Sequence, residues 1–458
     1  MLLLVSVGAG RAQTPPPPLT LPEFLARVQA TYPKLAAADA ERRTAPAKLL
    51  EKQGAFDPIL VGDHTFTRFN DTGSPGKVKS FTATDAAVEF LTPSGAKIVA
   101  GAQLNRGDVK SPLSVTGVDG EYFLGIKLPL LRGLGINPKS AALQQARLGI
   151  ALADSTYQSL RLEVLVAAGS AYWDWVAVVQ RVEVAAALLE LARVRAQAVR
   201  DRAQAGDLPL IDVVEAEQEV QRRIEGLEKA RRDLQKETNK LSLYLWDEGG
   251  IAAPPPPPGA APPAVDPGGV LEELEVARLQ AQALQQRPEL RILAAAGEVT
   301  RVDLRLARNL RLPDLNLSVQ PGYDSGAEGA GPTLKAGISL GLPLRQRTAR
   351  GLEGQAERKL EKIALDLQFE RQRVQVQVQD AANAVNQAYR RYVAAREELR
   401  LAQRLEQGER DRFTLGDSTL FLVNQRERST AEAANRVISI RAEYEQALVL
   451  FRAVTVQL

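Results

Sequence analysis

The chain has 458 residues, no cysteine, one histidine (His64) and one methionine (Met1). Without cysteine there is no disulfide framework, no thiolate metal site, no cysteine nucleophile and no sulfur-linked lipid anchor. One histidine excludes a histidine-rich metal site. The 58 basic and 55 acidic residues nearly cancel, leaving +3, which is no nucleic-acid-binding surface.

Residues 2–10 are apolar, and Gly10 and Ala12 place small residues three and one before Gln13. This resembles the end of a secretory signal peptide without its basic beginning, so residues 1–12 are expected to be a truncated signal. Residues 13–18, with Pro15 to Pro18, would be a stiff spacer. After this point no stretch approaches the roughly 20 apolar residues that a membrane helix needs. Thr20 and Glu23 have the spacing of a capping box before a helical stretch at 24–53.

An internal repeat organises the rest. Tyr32-Pro33-Lys34-Leu35 is echoed by Arg287-Pro288-Glu289-Leu290, and Leu128-Pro129-Leu130 by Leu342-Pro343-Leu344. Arg202-Ala203-Gln204-Ala205-Gly206-Asp207 is echoed by Arg412-Phe413-Thr414-Leu415-Gly416-Asp417. That last match has an offset of 210 (412 − 202), which persists through Leu210/Leu420, Val213/Val423, Glu217/Glu427 and Arg231/Arg441. Residues 19–246 form the first copy and 270–458 the second. The segment 247–269, rich in proline, glycine and alanine, is expected to be an extended connector. Each copy reads as a helix, a β region, a long helix and a return helix.

In the β regions, Tyr122, Leu124, Ile126 and Leu128 alternate with Glu121, Phe123, Gly125 and Lys127, and Leu334 to Leu342 repeat the pattern. Four candidate strands fall near 59–69, 79–91, 96–106 and 121–130, and two more within 314–342. Alternation over about 10 residues fits an outer-membrane barrel with a wet lumen, and equally a half-buried soluble sheet. Four or six strands cannot close a membrane barrel, so membrane strands would have to be shared between chains. Three chains would supply 12 or 18.

The long helices, expected at 137–205 and 345–415, carry a heptad. Val374, Val378, Ala381, Val385, Ala388, Tyr392, Ala395, Leu399 and Ala402 alternate steps of 4 and 3, and Ala171, Trp175, Val178, Val182, Ala185, Leu189 and Ala192 repeat the stripe 210 residues earlier. Each helix could span roughly 100 Å. Return helices at 208–245 and 418–456 close two hairpins, with glycine suited to each turn. A solvated structural coiled coil gives the same periodicity.

The doubled plan, together with Phe56-Asp57-Pro58, Ala171-Tyr172-Trp173 and the two Gly-Asp turns, resembles the TolC-type outer-membrane efflux protein family over nearly the whole chain. The resemblance implies an α+β membrane protein: a homotrimer whose subunits share one outer-membrane β-barrel, continued by a periplasmic α-helical barrel. It implies a passive exit channel of a tripartite efflux or type I secretion system for small molecules, metal ions or polypeptides, working with a periplasmic adaptor protein and an inner-membrane pump. Outer-membrane lipid would surround the strands. Family members typically give four strands per subunit, so the long first β region sets the strand count in question. The alternative is a periplasmic or secreted coiled-coil structural or adaptor protein.

No catalytic constellation, metal site or cofactor motif is present in the sequence, and a P-loop is missing. Under the channel reading the chemistry is that of a pore. Ala205, Gly206, Asp207 and Leu208, with Leu415, Gly416, Asp417, Ser418 and Thr419, are the candidate adaptor contacts at the hairpin tips. Asp207, Asp212 and Asp417 are pore candidates that would form anionic rings in a trimer; helix capping is the plainer role for Asp207 and Asp417. Arg202 and Arg412 are candidates for bonds that hold the tips closed, or members of a solvated face. Glu217, Arg231, Glu427 and Arg441 are expected to form internal salt bridges.

Overall fold

The computed structural model describes residues 17–71, 73–111, 113–325 and 331–458. The signal-peptide segment 1–12 and most of the proline spacer lie outside the described residues. The chain forms two compact units. One holds Met1–Asp39, Tyr157–Leu290 and Glu370–Leu458; the other holds Ala40–Thr156 and Arg291–Phe369.

Nine helices and six strands are built from the described residues. The first copy holds α1 (Leu21–Thr31), α2 (Pro33–Arg42), α3 (Thr44–Gln53), β1 (Ile59–Asn70), β2 (Val78–Leu91), β3 (Lys97–Gly107), β4 (Glu121–Pro129), α4 (Pro138–Gln204) and α5 (Leu210–Ser242). The second holds α6 (Glu273–Gln286), α7 (Pro288–Asn309), β5 (Asp314–Asp324), β6 (Gly331–Gly341), α8 (Arg347–Thr414) and α9 (Leu420–Val454). The α4 and α8 helices belong in part to each unit. Among the described residues, no helix is both long and apolar enough to cross a membrane.

The first helical stretch is divided, where the periodicity suggested one helix. Thr20 caps α1 with its capping box to Glu23. The chain then turns extended at Tyr32 (φ −69°, ψ 120°), because Pro33 has no N–H to donate and disfavours a helical residue before it. The same break occurs at Arg287 before Pro288, between α6 and α7.

The first unit is cored by aromatic and aliphatic side chains from α1, α4 and the end of α5. Phe24, Val28, Tyr172, Trp175 and Leu241 are fully buried. Phe24 stacks on Tyr172 with ring centroids 5.5 Å apart, and the Tyr172 hydroxyl donates to the Leu19 carbonyl at 2.6 Å. The connector joins this core. Ala260 is buried in it and accepts from the Leu19 N–H at 2.8 Å. Asp266 accepts from the Tyr392 hydroxyl at 2.6 Å and pairs with Arg396. The Gly269 carbonyl accepts from the Tyr444 hydroxyl at 3.0 Å, so the expected extended connector is a strap pinned along its length, and it includes a short 3₁₀ turn at Pro258–Ala260.

The second unit is dominated by one six-stranded sheet in sequence order, β1-β2-β3-β4-β5-β6, with every pair antiparallel. The register carries each strand's alternation across the sheet. Leu60 lies opposite Val88, Val88 opposite Ala100 and Ala100 opposite Leu124. Further along, Ile126 lies opposite Val319 and Val319 opposite Ala336. One face is therefore apolar from edge to edge, because side chains alternate with period two.

Candidate functional site

The apolar sheet face is not covered within the chain. Leu60 is 76% exposed, Leu124 56% and Ile338 73%. A soluble sheet packs such a face on a core; continuous exposed apolar surface of this extent requires a partner or lipid. The opposite face is largely polar. A transverse row runs Asp63, Asp85, Gln103, Glu121 and Asp324, one residue per strand from β1 to β5. Glu121 accepts from Thr333 at 2.5 Å and from Lys335 at 3.2 Å, reaching across β5 to β6, and also accepts from Gln103. Gly322 makes that reach possible, since a Cβ there would stand 2.9 Å from Glu121 Oε1 and 2.6 Å from Thr333 Oγ1. His64 lies on the apolar face against Thr84. Among the described residues no group of His, Asp and Glu could hold a metal ion.

The hairpin tips are built alike. Gly206 and Gly416 both adopt φ 85°, a left-handed conformation that costs glycine little. In the first tip the Gly206 N–H donates to the Ala203 carbonyl and the Asp207 N–H to the Arg202 carbonyl, at 3.1 and 3.0 Å. The second repeats this with Gly416 to Phe413 and Asp417 to Arg412, at 3.2 and 2.9 Å. Both are Schellman closures that satisfy the last carbonyls of the long helices.

Ala205, Gly206, Asp207, Leu415, Gly416, Asp417 and Thr419 are exposed, while Leu208, Ser418 and Asp212 are half-buried. The tips thus gather the candidate contact residues at each turn. Capping is assigned differently from the sequence expectation. Thr419, not Asp417, is the N-cap of α9 and accepts from the Leu422 N–H at 3.4 Å. Pro209 stands at the N-cap of α5, without a side-chain cap. The two aspartates precede the N-caps by two residues, and both are exposed. Arg412 donates to the Asp417 carbonyl at 3.1 Å and lies 3.7 Å from Glu409, so this candidate binds its own turn.

A buried charge cluster lies above the tips, and in it Glu427 forms the internal salt bridges expected of it, with two arginines that the sequence did not single out. Glu427 on α9, 1% exposed, pairs with Arg195 of α4 and with Arg410 of α8, the latter at 3.0 Å. Arg195 also donates to Asn424 at 2.6 Å. Burial, aided by the nearby Arg410 and Arg223 charges, pushes the Arg195 guanidinium down to about 10. The 210-residue offset turns Arg410–Glu427 into Arg200–Glu217, which also pair, at 2.7 Å, but on the surface. Arg195 itself maps onto Leu405, so the repeat alone does not reveal it. Arg231 pairs with Glu228 along its own helix, and Arg441 is buried.

Tandem helical hairpins joined to a sheet with an uncovered apolar face define the fold of outer-membrane channels, and solved structures bear this out. The CmeC outer membrane channel of Campylobacter jejuni shares 14% identity with a TM-score of 0.67, covering 95% of this chain and 85% of its own. A membrane protein from Pseudomonas aeruginosa shares 17% with a TM-score of 0.68, over 95% and 93%. The outer membrane protein VceC of Vibrio cholerae shares 14% with a TM-score of 0.65, over 95% of both. No curated protein matches in sequence. Residues 279–455 match the outer membrane efflux protein family.

Proposed function

We propose that the protein is the passive exit channel of a tripartite efflux or type I secretion system in the outer membrane. Its two hairpins would face a periplasmic adaptor and, through it, an inner-membrane pump. The cargo would be small molecules, metal ions or polypeptides. One observation carries this reading: a six-stranded sheet with an exposed apolar face whose outer strands, β1 and β6, each pair on one side only. Such edges are untenable in lipid. With six alternating strands, β6 of one copy runs antiparallel to β1 of the next, so three copies close a barrel of 3 × 6 strands without a break in the alternation. The polar row from Asp63 to Asp324 then faces the lumen.

The test is membrane partition and conductance. The expected result is a protein extracted only by detergent, migrating as a heat-modifiable trimer and conducting in planar bilayers. A soluble monomer without conductance would overturn the reading. Conversion of Asp207 and Asp417 to Asn removes six carboxylates from the trimer's tips. It is expected to move the reversal potential in a salt gradient toward that of a nonselective pore, with more loss at low salt, where screening is weak. Unchanged selectivity would take these residues out of the conduction path.

A further inference from the structure

A cavity of about 430 Å³ lies between α4, α5 and α9, all of it within the first unit. Val178, Val184 and Leu188 of α4 give it an apolar wall. Much of the remaining lining is basic. Arg222, Arg223 and Lys229 come from α5 and Arg428 from α9, with Arg181 a fifth cation from α4. Asp233 and Glu432 are the acids in the lining. Glu219 pairs with Arg222 at 2.6 Å and with Arg223 at 2.7 Å, and Arg181 donates to the Ser439 hydroxyl at 2.8 Å. Among the described residues Arg181, Lys229 and Arg428 have no carboxylate partner. Burial, with the Arg428 and Arg222 charges close by, holds the Arg223 guanidinium below its usual value.

Three observations set the cavity apart from a solvated basic face. First, Arg428 Nε and Asn435 Oδ1, from two residues of the lining, are buried without hydrogen-bond partners among the described residues. A buried donor and a buried acceptor left open in one place are costly unless something bonds to them. Second, Gly226 lines the cavity from the interior of α5, where glycine disfavours a helix. A Cβ there would meet nothing within 4 Å. Packing therefore does not require glycine, and its missing side chain leaves the cavity open. Third, the repeat does not impose the charge. At the 210-residue offset Arg222, Arg223 and Lys229 become Glu432, Ala433 and Ser439, and Arg428 becomes Gln218.

We propose that this cavity binds a small hydroxylated organic acid, such as a hydroxybenzoate. The ligand's carboxylate accepts charge-assisted bonds from Arg428 and the other unpaired cations, a task that suits the planar guanidinium. Its hydroxyl donates to Asn435 Oδ1, and its apolar body covers the α4 wall. An apolar wall with a few converging polar groups is the usual make-up of a small-molecule site.

Isothermal titration of the detergent-extracted protein with 3-hydroxybenzoate tests this, with benzoate and acetate compared at equal ionic strength. 3-Hydroxybenzoate is expected to bind tightest. Benzoate should bind several-fold more weakly for want of the bond to Asn435, and acetate most weakly because it leaves the apolar wall bare. Arg428→Gln is expected to weaken 3-hydroxybenzoate by about tenfold or more, the worth of one charge-assisted bond. Gly226→Leu keeps every charge, fills the cavity and favours the helix. It should abolish binding while raising the melting temperature of the free protein. Equal affinity for the three acids would mark a diffuse cationic surface and overturns the site, as does unchanged binding in Gly226→Leu or no binding by the natural chain. Benzoate binding as tightly as 3-hydroxybenzoate overturns the role of Asn435.

Discussion

Glu427→Gln is expected to destabilise the helical unit by about 3–5 kcal/mol, the usual loss when one partner of a buried ion cluster is removed. Glu427 is enclosed by α4, α8 and α9 and receives two arginines. Burial lowers Arg195, but only to about 10, so at neutral pH it stays protonated beside Arg410. Removing the carboxylate leaves two guanidinium charges facing each other with little water between them, and neutral Gln returns only one weak acceptor. The comparison is Glu275→Gln on α6, whose partner Arg278 is 2.5 Å away but exposed. That exchange should leave the melting midpoint close to that of the parent, because water and salt screen the pair. Thermal melts followed by helical circular dichroism in detergent separate the cases. Equal midpoints for the two variants would show that the Glu427 cluster is solvated.

Patterns that repeat locally were legible in the sequence. Tyr122, Leu124 and Ile126 announced one face of β4, and the steps of 3 and 4 from Val374 to Ala402 announced the buried stripe of α8. Both follow from fixed geometric periods. The count of four and two strands likewise matches β1–β4 and β5–β6. What depends on long-range packing was hidden. Nothing near Arg195 in sequence tells that it meets a residue 232 positions away. The connector's composition, poor in helix and strand formers, said nothing of Ala260 entering a core. At the second tip, Asp417, Ser418 and Thr419 are all able to cap a helix, and only backbone geometry selects Thr419. The breaks at Pro33 and Pro288 were in plain view, but the apolar spacing on either side ran on and masked them.

Trp175→Ala should be among the most damaging single exchanges, costing about 3–5 kcal/mol as large-to-small core changes do. Trp175 is fully buried on α4, with its ring 6.2 Å from that of Tyr172, which itself stacks on Phe24 of α1. The corresponding seam positions in the second copy are filled by Val385 and Ala382. The first copy is bulkier here because its seam also receives α1 and the strap at Ala260. The indole N–H of Trp175 has no hydrogen-bond partner among the described residues, so its contribution is packing and not polarity. Trp175→Phe, which keeps a ring and removes an unsatisfied donor, should therefore recover more than half of the loss. Tyr172→Phe should cost only about 1 kcal/mol, the worth of one hydrogen bond, here that to the Leu19 carbonyl. Melting temperature and the rate of protease cleavage near Leu19 check both steps. If Trp175→Phe proved as damaging as Trp175→Ala, the indole N–H would have to be engaged, and the account of this core as pure packing would be wrong.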